Sequence, residues 1–144
     1  MRASEVYFLL AEAALHGMSV NGSAEDLYRK GIAMSFEENG IPANEVDGYM
    51  NSGRTPMEYS LNMWRPHVNV SEPPLTKATV KWGGSNEEKL EKIMIQKWIA
   101  LYPNGQEAWS EYRRTGYPKL HKVMANYSNG EVDTNIGIRR MRYP

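Results

Sequence analysis

Cysteine is absent from this chain of 144 residues, which removes disulfides, thiolate zinc sites, a cysteine nucleophile and any lipidated cysteine within it. An excess of charge is missing too. Seventeen Lys and Arg balance 17 Asp and Glu, so the chain has no electrostatic footprint for a nucleic acid or an anionic membrane. No apolar run approaches the roughly 18 residues that cross a bilayer, and Glu5 and Glu12 give the stretch after Met1 an amphipathic pattern unlike a signal peptide. Histidine is scarce: His16, His67 and His121 stand apart without a partner at metal-ligand spacing, so neither a metal nor any other cofactor is expected. What is plentiful is aromatic bulk, nine Tyr and four Trp on a background of 41% hydrophobic residues, which suits a folded but polar domain. At this length a single domain over residues 1–144 is expected, burying about 68–70% of its unfolded surface.

Hydrophobic periodicity places four helices. Residues 2–17 set Val6, Leu9, Leu10, Ala13 and Ala14 at helical spacing among strong helix formers, with Gly17 to stop the run. Ser23-Ala24-Glu25-Asp26 supplies an N-cap and an acidic first turn for a helix to about Asn39, whose apolar face is Ala24, Leu27, Tyr28, Ile32 and Phe36. Gly31 on that helix would let a neighbour approach closely, and the pair reads as an antiparallel hairpin. Pro42 suits the start of a short helix within residues 41–50. Residues 51–85, rich in Pro and Gly, read as a long irregular loop in which Ala78–Trp82 is either a short strand or extended chain.

Ser85-Asn86-Glu87-Glu88 caps a third helix, 86–102, with Leu90, Ile93, Met94, Trp98 and Leu101 on one stripe and Ile95 and Ile99 beside it. So broad an apolar face belongs to a central helix. Pro103 ends it, and Asn104-Gly105-Gln106-Glu107 starts a helix over 105–115 that Arg113 and Arg114 favour at its C-terminal end and Gly116 closes before Pro118. Residues 117–144 read as an irregular tail. The fold class is therefore all-α, or mainly α.

Catalytic patterns are thin. Glu107 and Glu111, four apart on one helix face, could serve as a glycosidase acid pair, but Glu107 has a capping position and Glu111 can pair with Arg114. Gly83-Gly84 lacks the lysine of a phosphate-binding loop, and no serine stands in a nucleophile elbow. No catalytic residue is assigned. Aromatic rings stack on sugars as readily as they fill cores, so position decides their role. Trp98 and Trp109 lie on helices and are expected in the core. Tyr59, Trp64 and Trp82 lie in the loop and are the candidate ligand-binding residues, with anchoring of the loop as the competing role.

The run LEKIMIQKWIALYPNGQEAWSEYRRTGYPKL from Leu90 to Leu120 strongly resembles the C-terminal part of the SusD/RagB family of surface nutrient-binding lipoproteins. The opening MRASEVYFLLAEAAL and the final IRRMRYP, Ile138 to Pro144, resemble the same family in order and spacing. This resemblance implies a non-enzymatic protein at the outer membrane of Bacteroidetes-type bacteria, surface-exposed, that captures glycans or other nutrients for a SusC-like TonB-dependent transporter. It also implies a scaffold of tetratricopeptide-like helix pairs, of which Ala3 to Asn39 looks like one unit. Family members are several times longer and carry a signal peptide and lipidated cysteine, so the chain is expected to be a C-terminal fragment. The hairpin face between Val6 and Phe36 would then lack its usual partner, and self-association is expected. A protein-interaction scaffold that contacts the transporter is the alternative function.

Overall fold

A computed structural model of the chain describes residues 2–57, 59–61 and 70–121. Helix α1 (Ala3–Leu15) and helix α2 (Ala24–Glu38) form the expected antiparallel hairpin. A 3-10 turn at Ala43–Glu45 leads into the short helix α3 (Val46–Met50), and α4 (Asn86–Ala100) and α5 (Gly105–Thr115) follow. These elements share one compact unit, Met1–Arg54 with Ala78–Pro118. Thr55–Lys77 and Lys119–Pro144 form the other. In it, strands β1 (Tyr59–Leu61) and β2 (Val70–Glu72) pair antiparallel, with Tyr59 opposite Glu72 and Leu61 opposite Val70. The stretch read as a long loop therefore contains a small sheet, away from Ala78–Trp82 where a short strand is the alternative. Strands of three residues are too short for alternation to register in the sequence.

The caps form as their residue types dictate. Ser23 Oγ accepts the Asp26 backbone N–H at 3.1 Å, and Ser85 and Glu88 exchange reciprocal bonds at the start of α4. Gly116 closes α5 at φ +77°, a left-handed conformation that costs glycine little. The cap of α1 comes from elsewhere in the chain. Glu38 accepts the backbone N–H groups of Ala3 and Ser4 at 2.8 and 3.2 Å and the Ser4 hydroxyl at 2.6 Å. A carboxylate at the C-terminal end of its own helix is poorly placed, but here it meets the positive end of α1 instead.

The core joins Phe8 and Ala11 of α1, Leu27, Tyr28 and Ile32 of α2, Val46 and Met50 of α3, and Ile93, Met94 and Ala100 of α4. Helix α1 thus turns a different side inward from the one its periodicity suggests: Phe8 and Ala11 are buried, whereas Val6 is 39% exposed. Polar Ser4 and Glu12 are buried beside them because Glu38 and Arg114 satisfy them, a pairing that periodicity cannot report. The hairpin packs tightly at Gly31, where a Cβ would lie 2.7 Å from Phe8 Cε1.

Tyr28 holds the segment Ala78–Trp82 against this core. Its ring meets Phe8 edge-on at 6.3 Å and Trp82 at 5.0 Å, and its hydroxyl donates to the Val80 carbonyl at 2.7 Å. Lys92 Nζ donates to the Lys81 carbonyl at 2.6 Å, and Lys81 N–H donates to the Ser52 carbonyl at 3.2 Å. Residues 78–82 are therefore neither a strand nor extended chain but an irregular segment that bends at Val80 and Lys81, pinned by Tyr28, Lys92 and the Ser52 carbonyl. Burial raises the Tyr28 pKa above its ordinary 10, so the phenol remains a donor throughout the physiological range. Tyr28→Phe should cost about 0.5–1.5 kcal/mol, the net worth of one hydrogen bond, read as a lower urea midpoint at unchanged m-value. An unchanged midpoint would show that this bond does not hold the segment.

Candidate functional site

The last turn of α4 and the whole of α5 are held by four alternating charges. Lys97, 1% exposed, sets its ammonium 2.9 Å from Glu111 Oε2, a charge contact without hydrogen-bond alignment. Arg114 donates to Glu111 Oε2 at 2.8 Å and, as a fork, to both Glu12 oxygens at 2.6 and 2.7 Å. The chain Lys97–Glu111–Arg114–Glu12 therefore ties α4, α5 and α1 together. Burial of Glu111 opposes its ionisation, but Arg114 and Lys97 outweigh that effect and hold its carboxyl below the usual carboxylate range. A carboxyl so held is unsuited to donating a proton to a glycosidic oxygen. Asn104 Oδ1 accepts the Glu107 backbone N–H at 3.4 Å, which gives Glu107 a place in the first turn of α5.

Among the concave surfaces of the helical unit, two are lined wholly by described residues with aromatic walls. The larger, about 920 Å³, has Phe36, Tyr49 and Val80 among its lining, with Glu45, Ser52 and Arg54 as its polar groups. Phe36 and Tyr49 tilt together at 5.2 Å, and the Tyr49 hydroxyl donates to Gln96 Oε1 at 2.9 Å, so α3 forms the wall by being fixed to α4. The smaller, about 490 Å³, lies where α4 runs into α5 and is lined by Trp98, Ile99, Leu101 and Tyr102, with Asn104 and Ala108 on the α5 side. Ile99, in the last turn of the central helix α4, is 53% exposed, and Tyr102, in the turn that follows, is 79% exposed.

The sequence candidates fall in different places. Trp82 is half-buried, packed on Tyr28 with Lys89 Nζ 5.9 Å from its ring centroid. Tyr59 stands in β1, and Trp64 lies outside the described residues. Trp98 and Trp109, expected in the core, are both only half-buried, and Trp109 stacks on Tyr112 at 5.5 Å. The broad stripe of α4 misled here, because the helix also buries Glu91, Lys92, Gln96 and Lys97 and turns Trp98 and Ile99 outward. Tyr102 was not singled out by the sequence. Its signal was position, a large ring one step beyond the helical stripe and directly before the Pro-Asn-Gly break.

His16 is exposed, His67 lies outside the described residues, and among the described residues no three His, Cys, Asp or Glu side chains converge as metal ligands. No described helix is long and apolar enough to cross a membrane. The tail from residue 122 onward, including Ile138 to Pro144, also lies outside the described residues.

Comparison with known proteins places these features in one family. The SusD-like model, described as Susd and RagB outer membrane lipoprotein, matches residues 1–144. A chitin-binding SusD homologue from Flavobacterium johnsoniae is 44% identical, with TM-score 0.84, over 99% of this chain and 29% of its own. A SusD homologue from Bacteroides ovatus is 47% identical, with TM-score 0.86, over 100% of this chain and 30% of its own. Another from Bacteroides uniformis is 46% identical, with TM-score 0.83, over 100% and 30%. Curated proteins yield no match. The chain thus spans about 30% of the length of the solved structures it resembles. With a mainly helical fold, a family match over residues 1–144 and identities of 44% and 47% to SusD homologues, the chain belongs to the SusD-like family of SusD and RagB outer-membrane lipoproteins.

Proposed function

We propose that the protein is a non-catalytic glycan-binding component of an outer-membrane nutrient-uptake system and that it works beside a SusC-type TonB-dependent transporter. The observation that carries this reading is the family match over residues 1–144, joined by the 44% identity to a chitin-binding homologue. The concave surfaces support it chemically, since aromatic walls with a few polar groups suit a ligand with both apolar faces and hydroxyls. Glu111, spent on Lys97 and Arg114, supports a binding role over hydrolysis. Tyr59, Trp64 and Trp82 are the loop residues proposed to contact sugar.

Calorimetry with neutral hexasaccharides of glucose and of N-acetylglucosamine tests the reading. Binding without release of shorter products is expected, with weaker affinity in Tyr59→Ala, Trp64→Ala or Trp82→Ala. Failure to bind any of a broad panel of glycans would overturn it. A protein-interaction scaffold is the second reading, favoured by the exposure of Val6 on the outer side of the hairpin. It predicts capture of the transporter by the protein and loss of that capture in Val6→Glu.

A further inference from the structure

We infer that the concavity between the end of α4 and the start of α5 is a separate sugar subsite, which seats one uncharged pyranose ring against Trp98 and Tyr102. The inference rests on the glycan-binding reading and adds to the loop residues a place on the helical scaffold itself. The first support is exposure. A protein ordinarily turns large apolar groups at the heart of its fold inward, yet Ile99 on α4 and Tyr102 in the turn after it face solvent at 53% and 79% while the adjacent Leu101, 1% exposed, forms the floor. The second is size. A hollow of about 490 Å³ falls in the usual range for a small-ligand pocket, roughly 300–1,000 Å³, and is ample for one or two sugar rings.

The third support is the chemistry of the lining. No residue that lines this hollow carries a charge, so it offers nothing to a uronate, a sulfated sugar or a phosphate. Trp98 and Tyr102 supply ring faces for the C–H face of a pyranose, and the Tyr102 hydroxyl supplies a polar tip. Asn104 spends its Oδ1 on the Glu107 N–H, and its amide N–H groups are the donors it can offer to a ligand hydroxyl. The rigidity a subsite needs comes from Lys97–Glu111, which ties α5 to α4, and from Arg114, which ties α5 to Glu12 of α1.

Two variants test the subsite without disturbing the fold. Tyr102→Ala removes an exposed ring. Asn104→Asp keeps the oxygen that caps α5 but replaces the donor amide with a charge. In the complete protein, both should weaken binding of the neutral hexasaccharide that the wild type binds best by at least fivefold at unchanged melting temperature. Tyr102→Phe should keep most of the affinity. Sugar should also shield the tryptophan fluorescence from acrylamide, and that shielding should be smaller in Trp98→Phe than in the wild type. Wild-type binding that both variants retain would overturn the subsite and leave the glycan reading standing. Absence of wild-type sugar binding would overturn both. Loss of transporter capture in Tyr102→Ala at unchanged sugar affinity would show the hollow to be a protein contact and would equally overturn the subsite.

Discussion

Glu111→Gln is expected to destabilise the helical unit by about 3–5 kcal/mol, because it leaves the ammonium of Lys97 in the interior with its counter-charge removed. The large value follows from asymmetry. A buried ion pair adds little over an apolar pair of the same shape, but an orphaned buried charge loses both its water and its partner. Lys97→Met combined with Glu111→Leu should therefore be far closer to wild type than Glu111→Gln alone. The pH dependence has a defined sign. The carboxyl of Glu111 is held below its ordinary 4.5, so its contribution is complete above that pH and is lost as pH falls through the depressed folded-state value. Urea midpoints of wild type and Glu111→Gln should accordingly differ most near pH 7 and converge in acid. Equal midpoints at pH 7 would show that the Lys97–Glu111–Arg114–Glu12 chain contributes nothing to stability.

The hairpin provides the second large effect. A methyl group at Gly31 would stand 2.7 to 2.9 Å from the Phe8 ring, inside any tolerable contact, so Gly31→Ala should cost about 1–3 kcal/mol even though alanine is the better helix former. Phe8→Ala, which empties a fully buried position, should cost about 3–5 kcal/mol. The two changes touch the same space. In the double variant the new methyl takes part of the volume the ring vacates, so its loss should fall short of the sum of the single losses. Strict additivity in a denaturation cycle would mean that α1 and α2 do not meet at this point.

How much of this was legible in the chain differs from element to element. The four long helices, the serine and asparagine caps of α2, α4 and α5 and the glycine stop at Gly116 are local events, set by residues within a few positions of one another. Gly31 was legible for a related reason, since a glycine on the apolar side of a helix makes sense only if something packs against it. The small sheet was not legible, because Tyr59–Leu61 and Val70–Glu72 are too short to show a period of two. The outward turn of Val6, Trp98 and Ile99 was not legible either. Their helices have apolar residues on more than one side, and periodicity alone cannot rank those sides.

The sequence by itself determined the helical class, the ends of the helices and, through the runs MRASEVYFLLAEAAL and WIALYPNGQEAWSEYRRTGYP, the family. These are properties of short-range order along the chain, and residue type at fixed spacing is enough to carry them. Only the tertiary structure decided what the charged and aromatic side chains do. Glu12 meets Arg114 across 102 positions, Ser4 meets Glu38 across 34 and Tyr28 meets Val80 across 52. A carboxylate that looks like a surface group or a catalytic acid becomes a cap or a clamp only when its partner arrives from a distant part of the chain. The same long-range packing selects which rings are enclosed, as with Phe8 and Tyr28, and which remain at the surface, as with Trp98 and Tyr102. Burial is a property of the whole assembly of helices, because the surface of one helix is covered only by the shape of its neighbours.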